Sequence, residues 1–176
     1  MPTLETFDGS NLPAWTVLHL RHRADQSPLI DRFDRAHHFL SNFYRVKITS
    51  GKTGLAFHSV ENAFQWSKAY YAGDQEMQER LSVVSLSSAE AKQLGGAVRA
   101  LPEIWGTHKV KVMFRLLTLK FAHPGLAGLL RKTRGFRLVE GNYWHDNFWG
   151  ICACKRCPGY GHNILGKQLE KIRESL

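Results

Sequence analysis

Nowhere among its 176 residues does this chain run through the ~20 uninterrupted apolar positions that a membrane-spanning helix requires. Its start, Met1-Pro2-Thr3-Leu4-Glu5, lacks the basic and apolar blocks of a secretory leader. A cytoplasmic protein with no membrane partner is expected. Cysteine is scarce, with three residues between Cys152 and Cys157, an odd number at a spacing unsuited to a disulfide framework. This points to a reducing compartment. Also missing are G-x-x-x-x-G-K-[ST], G-x-G-x-x-G and G-x-S-x-G, which removes the sequence argument for a P-loop NTPase, a dinucleotide-binding enzyme or an α/β-hydrolase. Acidic residues are few: 15 Asp and Glu stand against 24 Lys and Arg, a formal charge of +9. That surplus concentrates anions near the surface and favours nucleic acid, a nucleotide or a phosphosugar as partner.

A 43% hydrophobic content is ample for a core. A chain of this length buries roughly 70% of the surface its unfolded form exposes, so neither disulfides nor an obligatory metal is needed. Residues 1–32 mix proline, charge and scattered apolar groups without a sustained period and read as an arm packed on a main domain spanning 33–176. Val46-Lys47-Ile48-Thr49, a Gly-rich turn and Leu55-Ala56-Phe57 predict a hairpin. Ser59 and Gly73 bracket a predicted helix from Val60 to Ala72. Ser87-Ser88-Ala89-Glu90 forms a capping-box pattern for a short helix ending at Gly95-Gly96. A longer helix is predicted from His108 to about His123, with another opened by Pro124 and running through Leu130. Arg137 to Glu140 reads as a strand, and Asn163 as the cap of a last helix from Ile164 to about Glu174.

Four constellations could carry chemistry. At about 100° per residue, Glu61, Gln65 and Lys68 share one sector of the Val60–Ala72 helix. They form either a solvated polar stripe or the two ends of a ligand site. The second is Leu138 to Gly150, which crowds four aromatics and acid/base side chains behind a strand. It suits a site that stacks a base or sugar, or else a satellite core capped by Asp146. Gly159-Tyr160-Gly161-His162-Asn163 leads into the last helix, as a phosphate cradle or ordinary turn chemistry. Fourth, Cys152, Cys154 and Cys157 with His162 offer four local ligands for a structural zinc, against the simpler reading of three reduced thiols.

In order and spacing, several pieces together resemble the NADAR (YbiA-like) family. They are Phe39-Leu40-Ser41-Asn42-Phe43-Tyr44, Ser59 to Gln65 with Lys68, Trp105 followed by Val112-Met113, Lys120-Phe121, Leu138 to Asn142, Asp146, Phe148-Trp149-Gly150 and Gly161 to Lys167. The likeness runs from about Phe33 to the C-terminus. It implies an α+β fold: a helix-dominated single compact domain with a short antiparallel hairpin, hydrolysing N-glycosidic bonds. Two substrate classes accompany the family, ADP-ribose on guanine bases of nucleic acid and ribosylamino-pyrimidine phosphates of riboflavin biosynthesis. The +9 charge and the basic arm (Arg21, His22, Arg23, Arg32, Arg35) favour the first. A non-catalytic ADP-ribose or nucleic-acid binding module is the reading from another class.

The family's glutamate, and its lysine seven residues later, fall on Glu61 and Lys68, and its tryptophan before the long helix falls on Trp105. Where the family commonly carries an arginine after the glycine closing the short helix, this chain has Gly95-Gly96, with Arg99 as the candidate substitute. The resemblance and the chemistry of N-glycosides make Glu61 the acid/base and Lys68 a nucleophile forming a Schiff base. Lys68 then needs its pKa lowered by burial or cationic neighbours. Asp146 is expected to orient a ribose hydroxyl or water. Ser41, Asn42, Phe43, Gln65, Trp105, Trp149, Gly150, Gly161, Asn163 and Gly166 are expected to contact substrate, and no cofactor is required for catalysis.

Overall fold

A computed structural model describes residues 28–51, 54–83, 85–157 and 159–176. The predicted arm up to residue 27, with Arg21, His22 and Arg23, lies outside the described residues. In chain order the elements are β1 (Leu29–Ile30), a 3-10 helix (Arg35–Leu40), β2 (Ile48–Thr49), β3 (Ala56–Phe57), α1 (Val60–Ala72), α2 (Gln75–Leu81), α3 (Ser88–Ala97), α4 (Pro102–Phe121), α5 (Pro124–Lys132), β4 (Arg137–Leu138), β5 (Gly141–Asn142), β6 (Ile151–Cys152) and α6 (Ile164–Glu174). The result is a helix-rich α+β fold with small two-stranded sheets. Among the described residues no helix is long and apolar enough to cross a membrane.

The described backbone packs as two units, Phe33–Arg134 with Lys167–Leu176, and Gly135–Gly166 with residues 28–32. The first is organised around α1, which packs on α2, α3 and α4. Its start is fixed by Ser59, whose hydroxyl accepts from the Asn62 N–H, and its end by Gly73 in the left-handed region at φ 68°, a conformation that costs glycine nothing. Behind it, Ala69, Met77, Leu81, Ala91 and Val98 form a buried cluster. Met113, Leu117 and Phe121 are sealed on α4. Full burial of such side chains is worth about 1.5–3 kcal/mol each. The predicted hairpin is present, with Ile48 opposite Phe57 in antiparallel register. The Ser87 capping box closes in both directions, on a helix that runs past Gly95-Gly96 to Ala97.

In the second unit, β1 pairs parallel with β4 and β5 parallel with β6.

Four expectations change. The long helix starts at Pro102, not His108, because a proline at the first helical position brings its φ already set and needs no N–H partner. Trp105 therefore sits on the first turn of α4 rather than ahead of it. The strand predicted over 137–140 shortens to β4, although the Val139 N–H still donates to Ile30 O. Helix α2 was hidden by its seven residues, too short to show a period, and is nucleated by Asp74 accepting from the Met77 N–H. Asn163 does not spend its side chain on α6: its carboxamide accepts from the Glu140 N–H and donates to Leu138 O, tying down the end of β4.

Candidate active site

The polar sector of α1 is not a solvated stripe. Glu61 is only 6% exposed, and its backbone N–H donates to Asn42 O at 3.0 Å. Its Oε1 accepts from Gln65 Nε2 at 2.8 Å, one helical turn on. A carboxylate withdrawn from water needs such partners, since burial without them costs several kcal/mol. Lys68, a further turn along, donates from Nζ to Gly95 O on α3 at 2.8 Å. Burial, and to a lesser degree the charge of Arg99, hold the Lys68 ammonium below its ordinary pKa. The shift runs in the direction that a lysine nucleophile requires, and Arg99 is close enough to contribute to it.

The approach of α3 to this face depends on Gly95. A Cβ there would lie 1.9 Å from Gln65 Oε1 and 2.5 Å from its Cδ, so a side chain at 95 would displace the amide that holds Glu61. In the sequence Gly95 reads only as a helix terminator. The signal for its second role was the absence of a side chain opposite the polar sector.

Aromatic rings border the same face. Phe64 and Trp105 lie with centroids 5.0 Å apart, Tyr71 and Trp105 at 5.9 Å, and Tyr71 and His108 at 4.4 Å with their rings tilted by 32°. The turn after the 3-10 helix brings up Ser41, Asn42 and Phe43, with Ser41 Oγ accepting from the Phe43 N–H. Asn42 donates from Nδ2 to Met113 Sδ at 3.4 Å, while its buried Oδ1 finds no hydrogen-bond partner among the described residues.

This turn is anchored by a residue to which the sequence assigned no role. Lys120 is fully buried and donates from Nζ to Ser41 O at 2.7 Å, with the rings of Tyr44 and Phe121 5.5 and 5.2 Å away. Its place among the apolar residues of α4 was the available clue. A cleft of about 400 Å³, lined by His38, Phe43, Arg45, His58, Asn62 and Ser88 among others, shares Phe43 with the predicted set but neither Glu61 nor Lys68.

Asp146, Trp149, Gly150, Gly161, Asn163 and Gly166 belong to the other unit. There Asp146 Oδ1 accepts from the Phe148 and Trp149 N–H groups at 3.1 and 2.8 Å, and the rings of Phe148 and Trp149 meet edge to face. The room that Gly150, Gly161 and Gly166 leave is taken by the chain's own carbonyls: Glu140 O, Gly150 O and Leu138 O would stand 2.0, 2.1 and 2.1 Å from an added Cβ. These glycines permit close backbone approach, which is why the segment is glycine-rich.

The cysteine loop is compact as expected, with one substitution. The side chains grouped within 4.8 Å of one another are Cys152, Cys154, Cys157 and His145, and His162 is not among them. The His162 ring faces Phe148 and Tyr160, with centroids 6.4 and 6.3 Å away. Counting along the sequence favoured the histidine after the cysteines, but a left-handed residue at 145 turns the earlier one toward them.

Comparison with known proteins agrees with this architecture. A description of the NADAR domain matches residues 30–176. The NMR structure of the Escherichia coli protein YbiA superposes with a TM-score of 0.69 at 28% identity, covering 85% of this chain and 84% of that one. No curated protein matches.

Proposed function

The chain belongs to the NADAR family, which is associated with N-glycosidase activity, and from that premise we propose that it removes ADP-ribose from guanine bases of nucleic acid. The observation that carries the reading is the α1 face, where a buried, amide-held carboxyl group and a lysine of lowered pKa stand two turns apart. In an N-riboside the exocyclic nitrogen can push its lone pair toward C1′, so that the C1′–O4′ bond breaks and O4′ takes a proton from Glu61. The neutral amine of Lys68 then adds to C1′. The guanine nitrogen departs with a proton passed on from the added amine, leaving a protonated Schiff base, and water releases the sugar as an aldehyde, regenerating the neutral lysine and returning the proton to Glu61.

No cofactor enters this sequence. Trp105 stacks on the base, the open acceptor at Asn42 Oδ1 takes a sugar hydroxyl, and Asp146 holds the loop that carries Trp149. The +9 charge draws in the polyanion.

The test is incubation with an oligonucleotide ADP-ribosylated on guanine, followed by intact mass, with Glu61→Gln beside the wild type. Return of unmodified DNA by the wild type alone is expected. Binding with steep salt dependence and no product would leave a binding module instead. Hydrolysis confined to ribosylamino-pyrimidine phosphates would shift the substrate to the small-molecule class.

A further inference from the structure

A site independent of the α1 face lies between β5 and the turn after β6. We propose that His145, Cys152, Cys154 and Cys157 bind one zinc ion in a closed tetrahedral site that locks the β5–β6 connection to the turn that follows β6. Three thiolates and one imidazole are ligands of soft, tetrahedral preference, and a complete set of four leaves no open position for chemistry.

The distances fit. With Zn–S of about 2.3 Å and Zn–N of about 2.0–2.1 Å, ligand atoms at tetrahedral angles stand roughly 3.6–3.8 Å apart. Here Nδ1 of His145 is 3.2 Å from Cys157 Sγ and 3.4 Å from Cys154 Sγ, the two sulfurs are 3.3 Å apart, and all four ligand atoms fall within 4.8 Å. The cage opens by a few tenths of an ångström to take the ion. Nδ1 is the ligating nitrogen, since Nε2 stands farther off at 3.9 Å from Cys154.

The backbone is arranged for this cluster. His145 holds φ 66°, a left-handed conformation that is strained for a residue with a side chain and persists where its surroundings impose it. Asn142, 1% exposed, imposes it: its Oδ1 accepts from the Trp144 and Asp146 N–H groups on either side, and its Nδ2 donates to Asp146 O. Across the site, the Cys157 N–H donates to Cys154 O, closing a tight C-x-x-C turn, and the Cys154 N–H points at Cys152 Sγ from 3.5 Å. An amide aimed at sulfur stabilises a thiolate. Loading releases three thiol protons and leaves a centre of net charge −1, offset by exposed Lys155 and Arg156 inside the turn.

The experiment is metal analysis of the full chain purified under reducing conditions, with cobalt substitution as a spectroscopic reporter. One zinc per chain is expected in the wild type and in His162→Ala, with loss in Cys154→Ser and His145→Ala. Cobalt should give tetrahedral ligand-field bands with thiolate charge transfer. A wild type that takes up neither metal overturns the proposal, as does a chain lighter by two hydrogens from a Cys154–Cys157 disulfide that binds no zinc after reduction. Zinc lost in His162→Ala but kept in His145→Ala overturns the ligand assignment. Should the cysteine variant fail to fold, the wild-type cobalt spectrum decides, and none of these readouts depends on catalytic activity.

Discussion

Replacing Gly95 by alanine puts a methyl carbon 1.9, 2.5 and 2.8 Å from Oε1, Cδ and Cγ of Gln65. Each is well inside the ~3.5–4.0 Å at which nonbonded heavy atoms settle. The obstacle is a half-buried side chain rather than backbone, so Gln65 swings away and its Nε2 stops donating to Glu61 Oε1. A hydrogen bond to a charged group is worth about 1.5–3 kcal/mol. If Glu61 is the acid, that is roughly a 10- to 150-fold fall in kcat/KM at 1.36 kcal/mol per decade.

Stability moves the other way in part, because alanine is favoured over glycine in a helix by about 1 kcal/mol. The two effects leave a net loss of about 0.5–2 kcal/mol, which lowers Tm by about 1–8 °C at roughly 2–4 °C per kcal/mol for a chain of this size. The assay is steady-state turnover of the modified oligonucleotide beside a thermal melt, for wild type, Gly95→Ala, Gln65→Ala and the double variant. Gly95→Ala should cost little once Gln65 is already alanine. An equal loss in both backgrounds, or full activity in Gly95→Ala, refutes the reasoning.

The turnover rate should rise with pH through the titration of Lys68, whose cation is disfavoured by burial and by Arg99, so that the rise lies below the range of an ordinary lysine. Arg99→Ala removes the smaller cause, stabilises the cation and moves the rise to higher pH, which a pH–rate profile reads directly. Asp146→Ala strips the acceptor from two backbone N–H groups and should destabilise by about 1–3 kcal/mol in a denaturant titration, whereas Asp146→Asn keeps an acceptor and loses less. Trp105→Ala should raise KM roughly 5- to 150-fold through loss of base stacking worth about 1–3 kcal/mol, with Trp105→Phe recovering most of it. An unchanged KM would remove Trp105 from the substrate.

Local capping chemistry carried most of what was legible in the sequence. Ser59, Gly73 and the Ser87–Glu90 box announce their helix ends because the signals lie within a few residues of one another. The hairpin was legible for the same reason. What escaped was settled by contacts distant along the chain. Asn163 is drawn off its helix by Glu140 and Leu138, and Lys120 on α4 reaches back to Ser41. His145 displaces His162 from the cysteine cluster because Asn142 holds a left-handed turn that no spacing rule encodes.

The α1 face shows both sides of this. Periodicity alone aligned Glu61, Gln65 and Lys68, yet it could not tell a wet stripe from a sequestered one. Burial of Glu61, the bond from Lys68 to Gly95 and the nearness of Arg99 depend on where α3 docks.

The most direct test of the central claim is to mix the protein with guanine-ADP-ribosylated DNA, add borohydride during turnover and map the adduct by peptide mass spectrometry. The account predicts an adduct on Lys68 with the mass of the freed sugar less one oxygen, as reduction of an imine requires, and none in Lys68→Ala, which should also be inactive. Undiminished turnover by Lys68→Ala, with no adduct in the wild type, would contradict it and leave water as the nucleophile.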